Sequence, residues 1–440
     1  MAYQSPYQEF IFEDYSFDPE ISVAQFHYSF DGQRHFTERI NFKGVIPNQI
    51  GDPVNKIMLD RALQLSFYLV GTSYYKTFPT KKIRFKKAQP DMWQSEFLQK
   101  VYTEGLSQFM FENNLSLDDI AQISGEGDSK NQMSYAGEGM IALQSGGKDS
   151  LLLATLLEEQ KTKYTPWYIS SNDIHPGVLD FLNEELQTVQ RQIDIKSLKQ
   201  AEEDGGLNGH VPVTFIVLSY ALIAAIVQNK KTILVAIGAE GGEAHEHIGS
   251  LPVNHQWSKT WQAEELFAKY VSDYISSDLQ VGSPLRGFSE LKIAELFVEH
   301  AWEKFGQSFS SCNRANYQQG SDNAELKWCG ECPKCANSYL LFAPFVQPKE
   351  LQSLFGGQDL FAKPLLTQTF KGLLGIDGVM KPFECIGEVE ELRLAYHMAR
   401  EKYGHKAYQL PFDVPKSNFD YKSIRPTQLW TKNLTEDFNI

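Results

Sequence analysis

Two short stretches carry chemistry-bearing residues at a telling spacing. In the first, Ser145-Gly146-Gly147-Lys148-Asp149-Ser150 lies between Gly139 to Leu143, which reads as a strand, and Asp149 to Gln160, which reads as a helix. Gly146 and Gly147 tolerate positive φ and let backbone N–H groups approach an anion, while the helix turns its positive end to the same spot. This is a short anion cradle rather than the longer G-x-x-x-x-G-K-[ST] loop. A tight turn capping a helix is the plainer alternative. In the second stretch, Cys329-x-x-Cys332-x-x-Cys335 gathers three thiols, and Cys312 stands upstream of them. Four thiolates suit tetrahedral zinc, and a closed four-cysteine site has no open position for a substrate, so its role would be structural. An iron–sulfur cluster and metal-free thiols remain as alternatives. The fifth cysteine, Cys385, stands apart.

These residues need a scaffold. The chain has 440 residues, 42% of them hydrophobic, which implies two or three domains. The net charge of -14 argues against nucleic-acid binding. With no signal-like N-terminus and no apolar run of membrane length, a soluble cytoplasmic protein with no membrane partner is expected. Lys81, Lys82, Arg84, Lys86 and Lys87 form a basic patch on a short strand. It reads either as an anion site or as an edge strand blunted by charge. Composition leaves the oligomeric state open.

The predicted fold class is α/β. Phe10 to Phe17, Ile21 to Phe30 and His35 to Phe42 read as strands, with Ile57 to Val70 and Trp93 to Phe111 as helices, giving an α+β N-terminal domain over residues 1–130. Alternation follows in residues 131–345: Thr165 to Ser170 as strand, Leu179 to Gln192 as helix, Ile193 to Leu198 as strand, Phe215 to Gln228 as helix and Thr232 to Ile237 as strand. That pattern implies a parallel sheet with helices on both faces and a ligand crevice at the carboxyl ends of its strands. Residues 346–440 form a helical C-terminal region, with Glu388 to Tyr403 its clearest helix.

Ser145 to Ser150 resembles the S-G-G-x-D-S motif of the PP-loop ATP pyrophosphatases, which have a HUP-like sheet and cleave ATP between the α- and β-phosphates. The resemblance implies that Ser145, Gly146, Gly147 and Ser150 cradle the phosphates, that Lys148 neutralises charge and that Asp149 lies near Mg²⁺. By the same analogy Asn172 and Asp173 flank the adenosine, although Asn-Asp is also a plain turn. The C…CxxCxxC pattern is similar to that of 7-cyano-7-deazaguanine synthases, which makes a PP-loop ligase or amidating enzyme the alternative.

A resemblance covering nearly the whole chain is to the MurL family, epimerases of UDP-N-acetyl-α-D-muramoyl-L-alanyl-L-glutamate (UDP-MurNAc-L-Ala-L-Glu). It is carried by "GTSYYK" at Gly71 to Lys76, "SGGKDS", "NHQWSK" at Asn254 to Lys259, "SSCNRA" at Ser310 to Ala315, "WCGECPKC" at Trp328 to Cys335 and "KPFECIGEVEE" at Lys381 to Glu391. "AEGGEAHEHIG" at Ala239 to Gly249 departs from the Ser/Asn-rich loop expected there. The resemblance implies that ATP adenylates the glutamyl carboxylate, removing a negative charge and making the α-proton acidic, with ATP and Mg²⁺ required and zinc structural. Cys385 is then the candidate base, because thiols suit proton transfer beside a carbonyl, with His255 or Lys259 as partner; a buried apolar role is its alternative. Lys76, Lys81, Lys82, Arg84 and Lys259 are candidates for holding the anionic substrate. Glu240, Glu243 and Glu246 are preferred over His245 and His247 as further Mg²⁺ ligands, because Mg²⁺ favours oxygen.

Overall fold

The computed structural model describes residues 3–43, 53–239, 241–318, 324–405 and 407–423. Of the residues singled out above, Glu240 lies outside them, as does the end of the C-terminal region.

The chain opens with an antiparallel meander of β1 (Phe10–Asp18), β2 (Val23–Phe30) and β3 (Arg34–Asn41). Asp31 and Gly32, at φ 52° and 68°, make the tight β2–β3 turn that a right-handed strand twist favours. Then come α1 (Pro53–Val70), α2 (Thr72–Tyr75), β4 (Ile83–Phe85), α3 (Met92–Thr103) and α4 (Ser107–Glu112). Asp91 and Gln94 start α3 with a reciprocal capping box. The single helix expected over Trp93 to Phe111 is broken at Gly105, where a Cβ would collide with the Val101 carbonyl oxygen. The break frees α4 to turn toward the candidate site.

Next follow β5 (Met140–Leu143), α5 (Lys148–Glu159), β6 (Thr165–Ser170), β7 (Gln187–Gln192), α6 (Ile195–Glu203), α7 (Val213–Val227) and β8 (Thr232–Leu234). A small hairpin, β9 (Glu246–Ile248) and β10 (Leu251–Val253), precedes α8 (Trp261–Tyr274), β11 (Gln280–Gly282), α9 (Glu290–His300) and α10 (Trp302–Phe305). The C-terminal region is helical, with α11 (Pro333–Phe342), α12 (Pro348–Leu354), α13 (Thr367–Leu373) and α14 (Val389–Tyr403).

Two expected elements differ. Leu179 to Gln192, read as a helix, is a short 3-10 turn at Gly177–Phe181 followed by strand β7. Ile193 to Leu198, read as a strand, lies mostly in helix α6, because the Asp194 side chain accepts from Ser197 N at 3.1 Å and caps it. The Leu179, Leu182 and Leu186 spacing mimics a helix without forming one.

The strands build a nine-stranded mixed sheet in the order β11-β8-β5-β6-β7-β3-β2-β1-β4. From β11 to β7 every neighbour is parallel; β7 meets β3 antiparallel, the meander follows, and β4 adds parallel to β1. The sheet therefore runs without interruption across the boundary expected near residue 130. Helices cover both faces. Ile141 and Ile233 enter one buried cluster with α1 and α7, whereas their neighbours Ala142 and Leu234 enter another with α5, α9 and α11. Beside the β3–β7 junction the buried Glu38 carboxylate takes Arg191 Nε at 2.6 Å, Tyr74 Oη at 2.8 Å and Tyr220 Oη at 2.5 Å. Removing one partner would leave a buried charge uncompensated, so the network pins the two parts of the sheet together. Among the described residues, no helix is long and apolar enough to cross a membrane.

Candidate active site

The parallel strands β5, β6, β8 and β11 end on one edge, and the first candidate stretch leaves it there. Gly147 caps α5 and Gly146 sits at φ 76°, whereas Gly147, at φ −88°, does not take the left-handed conformation expected of it. A Cβ on Gly146 would meet Leu326 Cδ1 at 2.6 Å and Val178 Cγ1 at 3.1 Å, so the packing also demands glycine. Ser150 Oγ accepts from Ser145 N at 3.2 Å and shapes the loop. Asn172 and Asp173 follow neighbouring strand β6, in a turn where Asp173 has φ 67° and pairs with Lys43.

Lys148 is buried and ion-paired with Asp149, at 2.5 Å, and with Glu290 at the start of α9. Burial works against its charge, yet the two carboxylates more than offset this and hold the ammonium protonated. Asp149 is pushed above the usual carboxylate range by burial, against the pull of Lys148 and Lys259. Behind them, Glu391 is raised to about 8 by burial and then by Glu290. Lys148 thus serves as the counter-ion of a buried acidic group at the loop.

The second centre forms around Cys385. Burial raises its thiol, but Lys259, a side-chain hydrogen bond from His255 and Lys334 outweigh that and hold it well below its ordinary value. The Lys259 charge thereby acts on both Cys385 and Asp149. Three backbone groups of the thiol loop are held: Lys334 Nζ donates to Cys385 O at 2.7 Å, Gln256 Nε2 to Ile386 O at 2.9 Å, and Gly387 N to Asn337 Oδ1 at 3.0 Å. The His255 ring lies against that of His210, tilted by 42° with ring centroids 4.4 Å apart, and His245 stands 6.5 Å away. Burial keeps His210 and His245 neutral, each lowered to about 3. Glu384, raised by burial, receives Asn313 Nδ2 at 2.7 Å.

Of the proposed substrate cations, Lys76 lies on the thiol side. It donates to Asn208 Oδ1 at 2.6 Å and Gly209 O at 2.5 Å, and its charge reaches His210. Burial lowers it to about 8. The structure does not bring Lys81, Lys82 and Arg84 to the phosphate loop. They surround β4 at the outer edge of the sheet, six strand steps from β5, or roughly 29 Å at the usual inter-strand spacing. Lys82 and Arg84 are paired with Glu9 at 2.8 and 2.7 Å, and Lys87 with Asp14 at 2.8 Å. These are the contacts of a charge-blunted edge strand. Glu243 is engaged by Lys381 at 2.5 Å, and Glu246 and His247 belong to hairpin strand β9.

The four cysteines converge. Cys312 and Cys332 Sγ are 3.6 Å apart, Cys329 and Cys335 3.7 Å, and Cys332 and Cys335 3.5 Å. A tetrahedron with zinc–sulfur bonds of about 2.3 Å has edges of about 3.8 Å, so the set fits zinc. Backbone N–H groups of Gly330, Glu331 and Ala315 point at sulfurs at 3.3 to 3.4 Å, as suits thiolates. Among the described residues this is the one group of three or more His, Cys, Asp or Glu close enough to share a metal. The site touches the phosphate loop, because Ser310 N donates to Gly146 O at 3.3 Å.

Sequence reasoning missed Gln108, Glu290, Lys334 and Glu384. Lys334 and Glu384 adjoin residues already singled out, so their neighbours were the signal; Gln108 and Glu290 carry none.

The structure is an α/β scaffold with a glycine loop opening α5 at the ends of the parallel strands, a thiol with a lowered pKa, and four cysteines close enough to share a metal. The chain belongs to the MurL family: the MurL N-terminal domain matches residues 1–283 and the MurL C-terminal domain residues 308–410. It is 30% identical to the UDP-N-acetyl-alpha-D-muramoyl-L-alanyl-L-glutamate epimerase of Salinispora tropica, covering 90% of this chain and 85% of that protein. It is 29% identical to the protein of the same name from Xanthomonas oryzae pv. oryzae, covering 86% and 82%. The Micromonospora protein of that name is 29% identical, over 89% and 87%.

Proposed function

We propose that this protein is an ATP-dependent epimerase that converts the terminal L-glutamate of UDP-MurNAc-L-Ala-L-Glu to D-glutamate during peptidoglycan precursor synthesis. A glutamyl α-proton beside a free carboxylate resists removal, because the carbanion would form next to a negative charge. The carboxylate attacks the α-phosphorus of ATP, pyrophosphate leaves, and in the acyl-adenylate the carboxyl carbon no longer bears the carboxylate charge, so its carbonyl becomes an electron sink. Ser145, Gly146, Gly147 and Ser150 hold the phosphates and Lys148 neutralises charge at the loop, with Asn172 and Asp173 beside the adenosine. When bound, Mg²⁺ neutralises phosphate charge, with Asp149 offering an oxygen to it. The Cys385 thiolate, with His255 as its proton partner, removes the α-proton, and Lys259 returns one to the opposite face. Water then cleaves the acyl-adenylate, releasing AMP and the D-glutamyl product. Lys76 is the candidate contact for a substrate anion.

The observation that carries this reading is the match of the MurL N- and C-terminal domains to residues 1–283 and 308–410, and the Lys259 charge, which acts on both Asp149 and Cys385, supports a link between the activating and proton-moving halves. Incubation with ATP, Mg²⁺ and the dipeptide nucleotide tests it. The expected products are AMP, pyrophosphate and a D-glutamyl compound of unchanged mass. AMP release with a product of changed mass would instead identify a ligase or amidating enzyme.

A further inference from the structure

The candidate base is held by a chain of contacts that begins far from it in sequence. His255 Nδ1 lies 2.6 Å from Gln108 Oε1. The orientation of the Gln108 amide is settled by its other end, because Gln108 Nε2 is 2.8 Å from Glu112 Oε1, and an ionised carboxylate only accepts. The amide therefore turns its oxygen to His255. An amide oxygen also only accepts, so Nδ1 carries a proton and Nε2 is left as the nitrogen that meets the Cys385 thiol. The backbone reinforces the contact: the preceding residue, Ser107, accepts Asn254 N on its Oγ at 3.1 Å. Two successive residues of α4 thus hold two successive residues of the histidine loop. Gln108 is itself buried.

We infer that Gln108 is a positioning residue for the proton-transfer couple, fixing His255 in the Nδ1–H tautomer so that its proton exchange with Cys385 Sγ runs through Nε2 alone. The thiol proton passes to Nε2, leaving thiolate and imidazolium. Nδ1–H stays on Gln108 throughout, so no reorientation accompanies the transfer. The inference rests on the reading of Cys385 as a base, yet it concerns a contact that exists without substrate. The charged and titratable groups around the couple are Lys259, Lys334 and Glu384 beside the thiol and His210 and His245 beside the imidazole.

The test is the pH dependence of iodoacetamide alkylation at Cys385, mapped by peptide mass spectrometry in the full metal-loaded chain, alongside epimerisation kinetics. Metal content and melting temperature verify folding. In Gln108→Leu the neutral tautomers mix, so the acid limb of alkylation should move to higher pH. The kcat should fall about tenfold or more while both KM values hold. Gln108→Glu keeps the acceptor, so it should return the acid limb to or below its original position and recover most of kcat. An unmoved limb in Gln108→Leu, or a Gln108→Glu variant that behaves like Gln108→Leu, overturns the inference. Should Gln108→Leu shift the limb while Cys385→Ser still epimerises, the positioning role stands and the base assignment fails; the reverse pattern keeps the base and removes Gln108.

Discussion

Lys334 sits between two cysteines of the metal site and donates its ammonium to the backbone carbonyl of Cys385 at 2.7 Å. The knuckle that would close around a metal therefore also holds the loop of the candidate base, and its charge helps keep that thiol ionised.

Replacing Lys334 with methionine removes that charge and leaves the hydrocarbon stem. The Cys385 thiol lies below its ordinary value, so thiolate, and with it activity, is present above the folded-state value and is lost as pH falls through it. In the variant this acid limb moves to higher pH. A shift of about one pH unit corresponds to about 1.4 kcal/mol of lost thiolate stabilisation. Rate against pH for α-proton exchange in deuterated buffer measures it.

Cys385→Ala should abolish wash-out exchange at the glutamyl α-carbon, by about a hundredfold or more, while ATP-dependent adenylation continues. Full exchange in this variant would remove Cys385 from the mechanism.

Metal analysis should return one zinc per chain, and Cys312→Ser should lose it. Because Ser310 N donates to Gly146 O at 3.3 Å, loss of the metal should also weaken ATP binding, measured by calorimetry on protein that remains folded. Iron with sulfide, or a metal-free protein, would overturn the zinc assignment.

Charge reversal at Lys82 and Arg84 should leave KM for the dipeptide nucleotide unchanged, since their partner is Glu9 at the sheet edge. A raised KM would bring β4 back into the site.

His210 and His245 are held neutral at values near 3. The unfolded chain protonates its histidines near 6.5, so it binds more protons below that pH and stability drains as pH falls from about 6.5 toward 3. His210→Phe should flatten this slope, read as the denaturant midpoint at pH 7 and pH 5.

The glycine loop that opens α5 and the cysteine cluster were legible in the sequence because each is written within a few consecutive residues. Only Cys312 stands apart, and the spacing of its partners announces the site. The thiol centre is different. His255, Lys259 and Cys385 each had a motif, but their meeting depends on α4, hairpin β9–β10 and the knuckle of Lys334 packing together. Gln108 had no motif at all, since a glutamine on a short helix acquires meaning only from what it faces. The basic strand was only half legible for a related reason. Its charge is plain in sequence, while Asp14 on the parallel neighbour β1 and Glu9 just before that strand, which neutralise part of it, are not. The turn and strand at Gly177 to Gln192 were hidden by a leucine spacing that also suits a helix.

The β3–β7 junction pairs Arg39 with Gln192 and Asn41 with Gln190, residues about 150 positions apart. During synthesis the meander emerges with one edge of β3 bare, and its partner is made later by roughly 10 to 30 s at ordinary rates of elongation. An unpaired edge is a template for foreign strands, so nascent chains carry an aggregation hazard for that interval. A truncated chain ending near residue 130 would carry it permanently. Expression of the meander alone is thus a poor route to a soluble fragment, whereas co-expression with the remainder supplies the missing strand.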